Sequence, residues 1–190
     1  MANAKTDSLR FTPLTMAQIA VCTALLCVLS PIAIPMPILV PITLQVMIIV
    51  LVALILHPVH ALIAQLLYTL IGLAGLPVFS GYKSGFAALA SPTGGFIIGF
   101  IFAAFLVSLL KGSGEGKYAV VRYILVAVFV GIPAVYIPGI IWFSFVQKVD
   151  LITSAKLVAA SFILVDIAKC VISALFAVPL KAALRKKNNL

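Results

Sequence analysis

From Leu14 to Leu184 the chain is a succession of apolar runs broken by Pro, Gly and isolated charges. Few architectures tolerate that pattern. A chain that is 64% apolar and 9% charged would expose large apolar patches if it folded in water. Disorder requires low hydrophobicity, so the same figures exclude it. The remaining solvent is a lipid bilayer, where the backbone satisfies its hydrogen bonds within helices. At about 20 residues per crossing, the chain has room for a set of transmembrane helices and none for a soluble catalytic module.

The sequence predicts an all-α integral membrane protein with six transmembrane helices in one bundle, a single domain over residues 1–190. The spans fall at 15–34, 41–56, 59–76, 93–110, 119–141 and 155–184. Helix punctuation marks their ends: Pro31, Pro35 and Pro37, then Pro41, His57-Pro58, Gly75-Leu76-Pro77 and Lys111-Gly112. Pro133 and Pro138 interrupt the fifth span. Two connections depart from ordinary loops. Residues 77–92 are too apolar to be solvated and read as an outer lid over the bundle. Residues 31–41 carry too many prolines for continuous helix and read as an extended outer crossing.

The formal charge of +9 ordinarily suggests a nucleic-acid partner, but its distribution gives another answer. With the N-terminus inside, the inner segments hold Lys5, Arg10, Lys111, Lys117, Arg122, Lys181, Arg185, Lys186 and Lys187. The outer segments hold only Lys83, Lys148 and Lys156. This bias orients the bundle with both termini cytoplasmic and requires no nucleic acid.

Few residues in the spans carry chemistry. Asp166 is the only acid inside one, and Lys169 follows at i+3 on the same helical face. Each costs about 2.5–3.5 kcal/mol to place in hydrocarbon. They therefore either form a structural ion pair or meet a polar ligand, with the Asp accepting from ring N–H groups and the Lys donating to a carbonyl or carboxylate. In Ser91-Pro92-Thr93-Gly94-Gly95 the Thr is placed to cap the fourth span, and the glycines allow close backbone approach. That start is either a tightly packed helix end or the lining of a pocket. Tyr82 and Lys83 in the lid are either ligand contacts or interfacial residues. Thr43 and Gln45 stand in the first turns of span two, and Gln45 bonds either another helix or a ligand. Ala20 and Ala24 form a small-xxx-small pattern on span one, suited to close helix contact within the chain or with a partner.

Other signals point away from catalysis and metals. Cys22, Cys27 and Cys170 read as small buried hydrophobes, and His57 and His60 have no acid or cysteine nearby in sequence to complete a metal site. The sequence has no HExxH, G-x-S-x-G or Walker loop, so it does not read as an enzyme and no cofactor is expected. If the chain transports, the energy comes from a gradient or another subunit.

The ordered set Pro41-Ile-Thr-Leu-Gln45, Gly75-Leu-Pro-Val-Phe-Ser-Gly81, Ser91-Pro-Thr-Gly-Gly-Phe-Ile-Ile-Gly-Phe100 and Asp166-Ile-Ala-Lys169 resembles the BioY family, the biotin-binding S component of energy-coupling factor (ECF) transporters. Ser91 and Phe96 stand where that family usually has Gly and Tyr. The resemblance implies biotin held beneath the outer loops, with Asp166 and Lys169 serving its ureido group. Gln45, Thr43, Thr93 and Gly94 would assist them, and Phe79, Tyr82 and Lys83 would cover the ligand from the lid. It also implies a transmembrane coupling subunit docked on Ala20 and Ala24 and two ATPase subunits that use ATP, unless the protein works alone. The expected location is the bacterial cytoplasmic membrane. A carrier for another vitamin-like heterocycle and a ligand-free membrane scaffold are the alternatives.

Overall fold

The computed structural model describes residues 11–35 and 40–188, with side chains described through Leu184. Six helical spans form the bundle. Helix α1 (Pro13–Leu29) opens with a reciprocal cap in which the Thr15 amide donates to Thr12 Oγ1 and the Thr12 amide donates to Thr15 Oγ1. It ends five residues before the predicted boundary. There the chain turns into strand β1 (Ala33–Ile34), which pairs antiparallel with β2 (Ile42–Thr43). The expected extended crossing is thus a small hairpin, its residues 36–39 lying outside the described segment. Pro41 does not open span two. Helix α2 (Gln45–Ile55) starts only after β2, so Thr43 is a strand residue and Gln45 is the first of the helix.

Helix α3 (Pro58–Leu73) carries Pro58 in its first turn, where the missing N–H is harmless. The predicted lid contains a 3₁₀ turn (Ser80–Tyr82) and the short helix α4 (Gly85–Ala90). Helix α5 (Gly94–Leu110) follows. Helices α6 (Ala119–Val126) and α7 (Ile132–Gln147) run as one 29-residue rod through a π-helical stretch at Ala127–Gly131. Pro133 has no N–H and its ring would crowd the carbonyl one turn back, and the wider turn precedes it. The sulfhydryl of Cys170 lies 3.7 Å from the Ala127 carbonyl within that turn. The rod therefore passes both prolines and continues beyond the predicted end at 141. Helix α8 (Leu151–Asn188) begins before the predicted 155 and includes Lys156.

Helices α6–α7 and α8 are long and apolar enough to cross a membrane, and α1, α2, α3 and α5 are shorter apolar helices. Helix α5 sits centrally, packed on α7, α3 and α2, while α2 also packs on α8. At Gly95 an added Cβ would lie 2.4 Å from the Pro138 carbonyl oxygen of α7, so only glycine permits this approach. Helix α1 packs mainly on α3, where Thr23 donates to the Ala64 carbonyl, and it leaves Ala17, Ala20 and Ala24 exposed. At the inner end Lys111 is buried. Its amine donates to the carbonyls of Ala53 and Leu56 and to Ser108 Oγ, capping the end of α2. One of the inner positive charges is thus a structural cap.

Candidate ligand site

A cavity open at its mouth lies beneath the hairpin and the lid, its empty space about 630 Å³ when the solvent in the mouth is included. The charge bias assigns this end to the outside. Phe79, Phe96, Phe100, Val135 and Phe162 supply much of an apolar lining, and polar groups project from six directions, Tyr136 of α7 among them. Thr43 comes from β2, Gln45 from α2, Lys83 from the lid, Thr93 from the entry to α5, and Asp166 with Lys169 from α8.

The i+3 spacing joins Asp166 and Lys169 as expected: Nζ lies 2.8 Å from Oδ1, with side chains only 6% and 9% exposed. The other carboxylate oxygen is held from α7, where Tyr136 Oη donates to Asp166 Oδ2 at 2.8 Å. Asp166 therefore sits between two donors on different helices, and each of its oxygens keeps acceptor capacity. Lys169 uses one of its three protons on the pair. Lys83, exposed at the mouth, has no carboxylate partner among the described residues. The lining thus carries one uncompensated positive charge, which suits a ligand with an anionic end.

Gln45 is buried, and its Nε2 donates to Tyr68 Oη at 2.7 Å. Tyr68 in turn donates to the Val78 carbonyl at 3.0 Å. The next lid residue, Phe79, is buried edge-on against the Tyr68 ring, with centroids 5.7 Å apart. It fills the space left by Gly72, where an added Cβ would lie 2.2 Å from the Phe79 ring. The lid has two further ties. Gly81 donates its amide to the Pro31 carbonyl, and Trp142 Nε1 donates to the Ser91 carbonyl, both at 3.0 Å.

Not every expected residue lies at the cavity. Tyr82 is 68% exposed and is not part of the lining. Gly94 is buried against α4, where a Cβ would meet the Leu89 carbonyl oxygen at 1.8 Å, so it serves packing. Thr93 lines the cavity but does not cap α5. Its backbone is already helical, and its hydroxyl pairs with Ser91 Oγ at 2.9 Å. Conversely, the sequence reading missed Tyr136 and Tyr68. Both fall inside the predicted spans 59–76 and 119–141, and a polar hydroxyl within an apolar run is the one signal the sequence offered for them.

A helical membrane bundle with a mostly apolar cavity and a few convergent polar groups is built as a membrane ligand-binding protein. Comparison with known proteins narrows the class. The sequence matches the BioY family over residues 3–186, and the chain belongs to that family. It is 37% identical to the biotin transporter BioY2 of Lactococcus lactis subsp. cremoris, over 92% of this chain and 94% of that protein. It is 36% identical to the biotin transporter BioY of Thermotoga maritima, over 84% of this chain and 90% of that one. Its fold is similar to a crystal structure of the S-component for biotin from an ECF-type ABC transporter. The TM-score there is 0.81 at 29% identity, covering 96% of this chain and 95% of that one. The expected membrane fold and family thus hold.

Proposed function

We propose that the protein takes up biotin, binding it in the outer cavity and delivering it inward. The observation that carries this reading is the pair of opposite charges enclosed in a mostly apolar cavity. A cyclic urea offers N–H donors and one carbonyl acceptor. Asp166 and Gln45 supply acceptors, and Lys169 supplies a donor. Phe79, Phe96 and Phe162 surround the rest of the bicycle, Thr43 and Thr93 flank it, and Lys83 meets the carboxylate at the mouth. Desolvation in such a pocket makes fully paired polar groups discriminating, because a ligand that leaves one unpaired binds much more weakly.

Delivery inward needs an energy source that this chain does not contain. The exposed Ala20 and Ala24 face on α1 suits a transmembrane coupling subunit, which would connect the protein to two ATPase subunits. The location that follows is the cytoplasmic membrane of a bacterium, and no cofactor is required. Uptake of radiolabelled biotin by cells lacking their own biotin transporter tests the reading. Expression of this chain, with coupling and ATPase subunits supplied, should give saturable uptake that unlabelled biotin suppresses. Uptake equal to the empty-vector control, with the protein present in the membrane, would refute it.

A further inference from the structure

We infer that Tyr68 is a positioning residue that fixes which end of the Gln45 amide faces the ligand. The inference rests on the proposed biotin-binding role of the cavity. A glutamine amide has a donor end and an acceptor end of nearly the same shape, so a buried glutamine reads a ligand only if something sets its direction. Here the Tyr68 hydroxyl has one proton, directed at the Val78 carbonyl 3.0 Å away. A carbonyl only accepts, so that proton is committed. The same hydroxyl lies 2.7 Å from the end of the Gln45 side chain and has only acceptor capacity left to offer it. The amide must therefore turn its NH₂ toward Tyr68. Its Oε1, which takes no hydrogen bond from the described residues, is presented to the cavity that Gln45 lines. The network thus gives Gln45 the polarity of an acceptor that matches a ligand N–H.

The Val78–Tyr68–Gln45 network is buried. Tyr68 is fully buried and Gln45 is 3% exposed, so no water competes freely for the bonds. Val78 belongs to the lid, so the acceptor state of Gln45 is set by the lid backbone being in place. With the lid carbonyl withdrawn, the Tyr68 proton is free to turn to Gln45 and the amide is free to reverse. A reversed amide offers N–H to N–H, which is repulsive. Tyr68 therefore acts on specificity without touching the ligand.

The test uses the full-length protein in detergent, with glutamine labelled ¹³C at its side-chain carbonyl and infrared difference spectra recorded with and without biotin. The wild type should show a Gln carbonyl band moving to lower frequency on binding. That band should be absent in Gln45→Leu, which assigns it. Tyr68→Phe should lose that shift and bind biotin about tenfold or more weakly, while its ring still seats Phe79. If Tyr68→Phe does not fold, an analogue methylated at both ureido nitrogens is applied to the wild type. It keeps the carbonyl and should give no Gln shift. Failure of the wild type to bind biotin refutes the functional reading itself. Biotin binding with no Gln45 band, or with unchanged affinity and band in Tyr68→Phe, overturns the role given to Tyr68. A shifted Gln45 band with the methylated analogue overturns it as well.

Discussion

Replacing Asp166 and Lys169 separately and together distinguishes a ligand-reading pair from a merely structural one. Their side chains are more than nine-tenths buried and 2.8 Å apart, so solvent screens the pair little. Removing one partner strands the other charge, and losses of about 3–5 kcal/mol are typical of such breaks. Among the described residues, Lys169→Met leaves the carboxylate with Tyr136 as its only donor, and Asp166→Leu leaves the ammonium with no carboxylate. Each single variant should therefore lower the melting temperature in detergent markedly. Removing both charges is different: a buried pair replaced by apolar residues of similar size is often neutral or stabilising. The double variant Asp166→Leu/Lys169→Met should melt close to the wild type. It should nonetheless lose biotin. Each hydrogen bond to a charged group contributes about 1.5–3 kcal/mol, so losing both weakens binding at least about a hundredfold. Isothermal titration calorimetry and thermal unfolding on the same preparations measure both quantities. A double variant that is stable and binds biotin as tightly as the wild type would refute the reasoning.

Three further outcomes follow from other contacts. Lys83→Gln removes an exposed charge from the cavity mouth, so biotin affinity should fall only several-fold, more at low salt than at high. Affinity for biotinamide, which lacks the carboxylate, should be unchanged, and an equal loss for both ligands would contradict the assignment. Gly72→Ala pushes a methyl into the Phe79 ring, and overpacking of this kind costs about 1–3 kcal/mol. Displacing the lid residue should speed biotin dissociation in stopped-flow experiments, and an unchanged off-rate and melting temperature would contradict its seating role. Asp150 accepts from the Thr153 amide at 2.8 Å, and that bond holds its carboxyl below the usual range in the folded state. The stabilisation is present above the unfolded-state pKa and is lost as pH falls through the lower folded-state value. Protection factors, which remove the pH dependence of intrinsic amide exchange, should fall in the first turn of α8 in that acidic window, and should stay constant there in Asp150→Asn.

The bundle was legible because hydrocarbon imposes so few solutions: apolar runs, proline punctuation and the inner bias of Lys and Arg give six spans and their direction. The spans' ends were less legible. Span two was read as starting at Pro41, but local strand pairing of Ile42 and Thr43 with Ala33 and Ile34 takes those residues first. Span five was read as interrupted by Pro133 and Pro138 and ending at 141, but a π turn before Pro133 lets the helix run on to Gln147. In the site, Asp166 and Lys169 were visible because a charge inside a span needs a reason. Tyr136 and Tyr68 were not, because a hydroxyl in an apolar run shows its role only when its partner from another helix is known. Tyr82 and Gly94 were drawn in by their neighbours in sequence. Yet a lid residue two positions from Ser80 turns outward, and a glycine beside Thr93 faces α4 rather than the cavity.

Equilibrium binding of labelled biotin to the purified protein tests the central claim most directly. The account predicts saturable binding of one biotin per chain, displaced by unlabelled biotin and not by an analogue lacking the ureido ring. Folded protein that shows no saturable binding, or that releases biotin equally to the ureido-free analogue, would contradict it.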